Sequence, residues 1–201
     1  MGFPEERQEE VYLRKIMIPA AMLTLGLAAC GSPDSTEQAA DGTEIDTAAM
    51  ADTDTPMQAV ALLQTADGES VGTATATATD GGVQIALEVH GLEPGQRGVH
   101  VHTTGRCEPP TFESAGGHWN PTERQHGLES EAGQHAGDMP NLTVAADGTG
   151  TLEYQLVGGT FEGLLDADGT AFVIHAGPDD QVTDPSGNSG DRIACGVFSA
   201  S

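Results

Sequence analysis

The chain has 201 residues, with 7 Lys and Arg against 31 Asp and Glu, for a formal net charge of −24. That balance argues against a nucleic-acid partner, because phosphate contacts need Lys and Arg. The 27 Gly and 11 Pro argue against a bundle of long helices, and a single short apolar run excludes a multispan membrane protein.

The length suits one ordinary domain after an N-terminal address. Arg14 and Lys15 precede an apolar run over 16–29, too short for a membrane helix of roughly 20 residues and of the right length for a signal peptide. The run ends Leu27-Ala28-Ala29-Cys30. Small residues before a cysteine resemble the bacterial lipoprotein cleavage box, in which the cysteine becomes the lipidated N-terminus, so Cys30 is the expected lipidation site. Residues 1–13 form an acidic prefix consistent with a start codon placed too early. Gly31 is not the aspartate that favours inner-membrane retention. The expected location is therefore the cell envelope: lipid-anchored, on the outer membrane facing the periplasm, or on the outside of the plasma membrane where no outer membrane exists.

Residues 31–57 carry seven acids, no base and no aromatic residue. Such a segment buries too little apolar surface to offset the entropy of ordering. With Cys30 it reads as a disordered acidic tether spanning on the order of 30 Å, and the domain proper is expected over 58–201.

From 58 onward, apolar and polar residues alternate, or run apolar, over strand-length segments. QAVALLQTA, SVGTATATAT and VQIALEVHG come first, separated by Asp67-Gly68 and Asp80-Gly81-Gly82, and Asp-Gly between such runs is a hairpin signal. GVHVH at 98–102 follows. LTVAA and GTLEYQLV flank Asp147-Gly148 as another expected hairpin. TAFVIHA follows Asp168-Gly169, and RIACGVF closes the domain. No segment keeps a helical period. The fold expected is all-β, an eight-stranded Greek-key barrel or sandwich, with two long irregular stretches at about 103–140 and 176–191. Loops of that length are usually functional or disordered, and the His, Cys, Arg and Asp in these favour function.

Seven histidines stand at 90, 100, 102, 118, 126, 135 and 175. His100 and His102 are two apart on an expected strand, so both rings leave the same face and can chelate one ion. His118, His126, His135 and Asp138 cluster in the first long loop, a donor set that suits tetrahedral zinc. His175 ends a strand that could return toward the first pair. His90 fits no such group. The domain's only bases are Arg97, Arg106, Arg124 and Arg192.

GVHVHTTGRCEPP, SAGGHWNP, His126-Gly127, GQHAGDMPN, VIHAG and GNSGDRIACGV, in this order, resemble the copper/zinc superoxide dismutase family over about 58–199. The resemblance implies a copper site of His100, His102, His118 and His175. It also implies a zinc site of His118, His126, His135 and Asp138, with His118 shared as an imidazolate. Imidazole suits both metals, and of the two only copper changes oxidation state. Asp179 is implied as the carboxylate joining His100 to His126; the alternative for it is a solvated acid in an acidic loop, since Asp180 lies beside it. Arg192 is implied as the anion-guiding catalytic group, with His118 as the proton carrier. Cys107 and Cys195 match the family's disulfide, and a signal peptide implies a compartment where it survives. The implied activity is disproportionation of superoxide to dioxygen and hydrogen peroxide, with copper and zinc as cofactors. The membrane is a partner only through the lipid. The alternative is a non-enzymatic copper delivery or storage module on the same fold, which loss of a ligand or of Arg192 would favour. The family's channel lysines are missing, because no lysine follows position 15. Trp119, after the bridging position, is expected to pack in the core.

Overall fold

The structure is a computed structural model describing residues 56–201. The expected signal peptide, Cys30 and all but the last residues of the tether lie outside the described residues.

The first strands are β1 (Gln58–Thr65), β2 (Ser70–Thr79) and β3 (Gly82–Val89). They form a meander, with Asp80-Gly81 as the two-residue turn between partners Thr79 and Gly82. Alternation does what the sequence pattern requires. Ala59, Ala61, Leu63, Ala74, Ala76, Val83, Ile85 and Leu87 are buried, while the intervening threonines of β2 lie nearer the surface. A bulge between Leu63 and Gln64 bends β1 where it meets Gly72. A Cβ at Gly72 would lie 2.1 Å from the Glu88 carbonyl oxygen, so only glycine lets the two strands approach this closely.

Next come β4 (Gly95–Arg97), β5 (Val99–His102), β6 (Leu142–Val144) and β7 (Gly150–Gln155). The last strands are β8 (Ala171–His175), β9 (Arg192–Val197) and β10 (Ser199–Ala200). The main sheet runs β5-β8-β9-β1-β2-β3-β7, with β10 also pairing β1, and every ladder is antiparallel. Val99 and Phe172 from one end share a core with Ile85 and Leu87 from the other, so the sheet curls around a single interior. The all-β expectation holds, with eight strands in the main sheet.

One expected pairing differs. Asp147-Gly148 does turn the chain, with Gly148 N–H donating to the Ala145 carbonyl at 3.0 Å. However, β6 and β7 do not pair with each other: β6 pairs with β4 in a separate two-stranded sheet, and β7 pairs with β3. The Arg97 guanidinium ties β4 to neighbouring backbone through the carbonyls of Glu93 and Ala176. A four-residue helix, α1 (Phe161–Leu164), was not expected. Thr160 caps it by accepting from Gly163 N–H, and it closes the core with Phe161 and Leu164.

The strand that matters most is β5. It ends the sheet, and its free edge is covered by the first long loop instead of by another strand. Trp119 N–H donates to the Val101 carbonyl at 2.8 Å, and Val101 N–H to the Gly137 carbonyl at 3.0 Å. Isolated bridges pair His100 with Asp138 and His102 with His118. Pairing of the loop with an exposed edge thus carries the loop histidines to the strand histidines.

Candidate metal centre

Val99 and Val101 turn into the core, so period 2 sends His100 and His102 out under the loops. Val173 and Ala171 lie across from them on β8, and His175, two residues beyond Val173, shares that face. His118 arrives by the loop pairing, its ring stacked on His100 with centroids 3.9 Å apart.

Each of these four rings has one nitrogen accounted for and one free. His102 Nδ1 donates to the Gly116 carbonyl at 2.9 Å and His175 Nδ1 to the Gly190 carbonyl at 3.1 Å. His100 Nε2 donates to Asp179 Oδ2 at 2.6 Å, and His118 Nδ1 meets Asp138 Oδ1 at 2.8 Å. The four remaining nitrogens, His100 Nδ1 and Nε2 of His102, His118 and His175, are buried with no protein partner. Carbonyl acceptors fix the tautomer, so the lone pairs of His102 and His175 stay on Nε2. The ligand atoms of this group lie within 4.8 Å of one another. Four unpartnered imidazole nitrogens converging in a buried spot cost free energy unless a cation takes their lone pairs, and an all-imidazole set suits copper.

The second group forms around Asp138. Its Oδ1 faces Nδ1 of His118 at 2.8 Å, of His126 at 3.1 Å and of His135 at 3.4 Å. Its Oδ2 accepts from Gly127 N–H at 2.8 Å and His135 N–H at 3.0 Å, which orients the carboxylate. Three imidazoles and one carboxylate within 4.8 Å are a donor set for tetrahedral zinc. The seven residues singled out from the sequence thus come together as two groups, and His118 belongs to both.

Asp179 joins them as expected. Oδ2 takes His100 Nε2, and Oδ1 takes His126 Nε2 at 3.0 Å and Gln181 N–H at 2.6 Å. Asp180 turns away and accepts from the N–H groups of Val182 and Thr183 and from Asn188 Nδ2.

The electrostatics separate the two groups. Burial and the neighbouring His118 push His100 down to about 3, against the bond to Asp179, which acts the other way. Burial likewise lowers His175 to about 4 and holds His102 well below its ordinary value. These rings are neutral, as ligands must be. His126 is also penalised by burial, but its bonds to Asp138 and Asp179 outweigh that and raise it to about 9. Asp138 is held far below the carboxylate range: burial opposes ionisation, and the bonds from His118, His126, His135 and Gly127 overcome it.

A cleft of about 390 Å³ opens over the first group, lined in part by His102, His118, His175, Pro185, Ser186 and Arg192. Arg192 is half-buried there. Its Nη1 donates to the Phe112 carbonyl at 2.6 Å and its Nη2 to the Gly116 carbonyl at 2.7 Å. Burial lowers its pKa and Glu113 works against that, but a guanidinium stays charged. The loop carrying both carbonyls is tied to β9 by the Cys107–Cys195 disulfide, with Cα atoms 5.7 Å apart.

The other singled-out residues have structural roles. Trp119 is buried against Gly159 and Gly163, where a Cβ on Gly159 would strike the indole. Arg124 clamps its own loop through Asn120. His90 is exposed.

Sequence reasoning missed Asn141, Gly187 and Asp184. Asn141 holds the Asp179 backbone at both ends, Nδ2 donating to its carbonyl at 2.8 Å and Oδ1 accepting from its N–H at 2.7 Å. Gly187, with φ +61, leaves room for the Asp179 carboxylate that any Cβ would occupy. Asp184 Oδ1 accepts from His126 N–H at 2.8 Å. A lone Asn, Gly or Asp in a loop carries no periodicity to mark it.

Comparison with known proteins agrees with this geometry. Residues 70–198 match the family model for copper/zinc superoxide dismutase. The chain is 44% identical over 150 residues to a Cu-Zn superoxide dismutase of Aquifex aeolicus, covering 71% of this chain and 86% of that protein. It is 36% identical over 196 residues to the superoxide dismutase-like protein YojM of Bacillus subtilis, covering 92% and 96%. Among solved structures, the Cu/Zn superoxide dismutase of Brucella abortus superposes with a TM-score of 0.60 at 27% identity, over 71% of this chain and 99% of that one.

Proposed function

The chain belongs to the copper/zinc superoxide dismutase family, and from that premise we propose that His100, His102, His118 and His175 hold copper while His118, His126, His135 and Asp138 hold zinc. The reaction turns two superoxide anions and two protons into one dioxygen and one hydrogen peroxide. The observation that carries the assignment is His118. Its Nδ1 lies inside the Asp138 group at 2.8 Å, and its Nε2 is one of the unpartnered nitrogens of the other group. One ring belonging to both groups is what an imidazolate bridge requires.

When bound, copper supplies the one-electron redox chemistry, and zinc, fixed in one oxidation state, supplies positive charge. The protein's own groups do the rest. Arg192 uses two of its five N–H donors on carbonyls, and the others are free to attract and orient a small anion in the cleft. His118 Nε2 is the atom that gains and gives up a proton, while Nδ1 stays on the side of Asp138 and the other zinc-side groups. Asp179 holds His100 and His126 in register, so the two ligand sets keep a fixed spacing.

The test is metal analysis with superoxide-decay kinetics on the purified protein. One copper, one zinc and rapid decay support the reading. Copper bound without decay assigns the delivery or storage role instead.

The Arg14-Lys15 n-region, the apolar run over 16–29 and Cys30 support a lipid-anchored, extracytoplasmic placement in the bacterial envelope. Blocking lipoprotein signal peptidase should leave a longer precursor, and Cys30→Ser should release the protein from membranes. Unchanged size and unchanged fractionation would end this proposal.

A further inference from the structure

Each zinc-side imidazole has a second nitrogen that points away from Asp138. For His118 it enters the copper group. For His126 it meets the buried Asp179 carboxylate at 3.0 Å. For His135 it faces Asp184, with Nε2 3.8 Å from Oδ1. That is ion-pair range, longer than a direct hydrogen bond. The same Oδ1 accepts from the His126 backbone N–H at 2.8 Å, so one oxygen spans two zinc-side histidines.

Solvent access singles out this corner. The side chains of His126 and Asp138 are 0% exposed and that of His118 is 2% exposed, whereas His135 is 7% exposed and Asp184 59% exposed. His135 and Asp184 thus form the solvent-side end of the zinc-side group. The turn that presents Asp184 is cross-linked by its own hydrogen bonds. Asp180 caps Val182 and Thr183, Gly187 N–H donates to the Thr183 carbonyl at 2.7 Å, and Asp180 N–H to the Gly187 carbonyl at 2.8 Å.

We propose that Asp184 is the outer carboxylate of the zinc site, a positioning residue that fixes the backbone of His126, places its charge beside the ring of His135 and thereby slows zinc release. Asp179 holds the His126 ring by a direct bond in the interior, and Asp184 holds the His126 backbone and sets a negative charge beside His135 at the solvent side. At 3.8 Å the carboxylate acts on the His135 ring through its charge, which favours a cation held on the far side of that ring, while its hydrogen bond goes to the His126 backbone. This rests on the zinc assignment above.

The experiment loads the whole protein with zinc and follows release into excess chromogenic chelator. Asp184→Asn keeps an acceptor for His126 N–H but removes the charge. Asp184→Ala removes both, and Asp184→Glu restores the charge. Both neutral variants should release zinc about 10-fold faster than wild type, and Asp184→Glu should recover most of the difference. Cobalt substituted at the zinc site should show a shifted visible spectrum in Asp184→Asn. Circular dichroism of each metal-free variant establishes folding, and if Asp184→Ala fails to fold, the near-isosteric Asn variant carries the test. Asp180→Ala loosens the same turn without touching a zinc-side histidine. Release within twofold of wild type in the neutral variants overturns the proposal. Asp180→Ala accelerating release as much as Asp184→Ala overturns it too, because loop order would then be the cause. Wild type failing to retain one zinc would instead remove the zinc assignment itself.

Discussion

Arg192 and His102 share one acceptor. The Gly116 carbonyl receives Arg192 Nη2 at 2.7 Å and His102 Nδ1 at 2.9 Å. The guanidinium is therefore placed relative to the His102 ring by one backbone oxygen, with no flexible side chain between them. The same carbonyl makes Nε2 of His102 the free nitrogen, so one oxygen sets both the tautomer of the ring and the position of the guanidinium.

Removing that charge should slow capture of superoxide while leaving the metals in place. Arg192→Ala should lower kcat/KM by about 10-fold or more, the range over which local fields change on-rates. Arg192→Lys should fall between, because an ammonium keeps the charge but loses the fork. Superoxide-decay kinetics with metal analysis of each variant checks this. A drop below twofold at full copper content would deny Arg192 the guiding role.

The surrounding field works against that one cation. Residues 58–201 carry 20 acids and four bases, with no lysine. At about 0.01 M salt the screening length is about 30 Å and the whole domain repels an anion, while at about 0.1 M it is about 10 Å and the cleft dominates. Turnover should rise with ionic strength over that interval. A rate that falls with added salt from the start would mean local attraction by Arg192 outweighs the domain's charge.

The strands were readable because burial on one face leaves a period-2 trace, as in β3, where Val83, Ile85, Leu87 and Val89 alternate inward. The His100–His102 pair and the 118–138 cluster were readable from spacing, because imidazole is scarce and its chemistry narrow, whereas the sharing of His118 and the joining of His175 came from the family resemblance. The β6–β7 pairing was misjudged because an Asp-Gly turn specifies a reversal, not which strand will take the freed edge, and β4 is only three residues long. Asn141 and Asp184 escaped notice because their partners, the Asp179 backbone and His126 N–H, are distant in sequence and become visible only once the loops close.

Those loops are closed in part by Cys107–Cys195, across 88 residues. Cross-linking a loop of that length removes chain entropy from the unfolded state worth about 4–5 kcal/mol. The Cys107→Ser, Cys195→Ser double variant should lose stability of that order in denaturant titration. Activity should fall as well, because Phe112 packs in the cluster with Cys195 and its carbonyl anchors Arg192. Unchanged stability would show that burial of Phe112, Ala115, Ala171 and Val173 alone secures the loop.

The two ligand sets should also differ in the protons they release. In the metal-free protein His126 is raised to about 9 by Asp138 and Asp179 despite the opposing effect of burial, so its ring is protonated at pH 7. Zinc needs Nδ1 of that ring, and uptake at pH 7 should release about one proton. Above the raised pKa the ring is already neutral and the release should vanish, so zinc affinity should climb with pH up to about 9 and then level. The sign for folding is the reverse. A raised pKa stabilises the metal-free fold below the unfolded value of 6.5, and that contribution is lost as pH rises through about 9. His100 and His175, lowered to about 3 and 4 mainly by burial, are already neutral at pH 7 and should release nothing when copper binds. The proton released on copper uptake should therefore come from His118 Nε2 as the ring becomes shared. Indicator-dye titration in weak buffer, adding zinc and then copper, counts both. No proton on zinc uptake at pH 7 would contradict the charged state of His126, and none on the copper step would contradict a shared imidazolate.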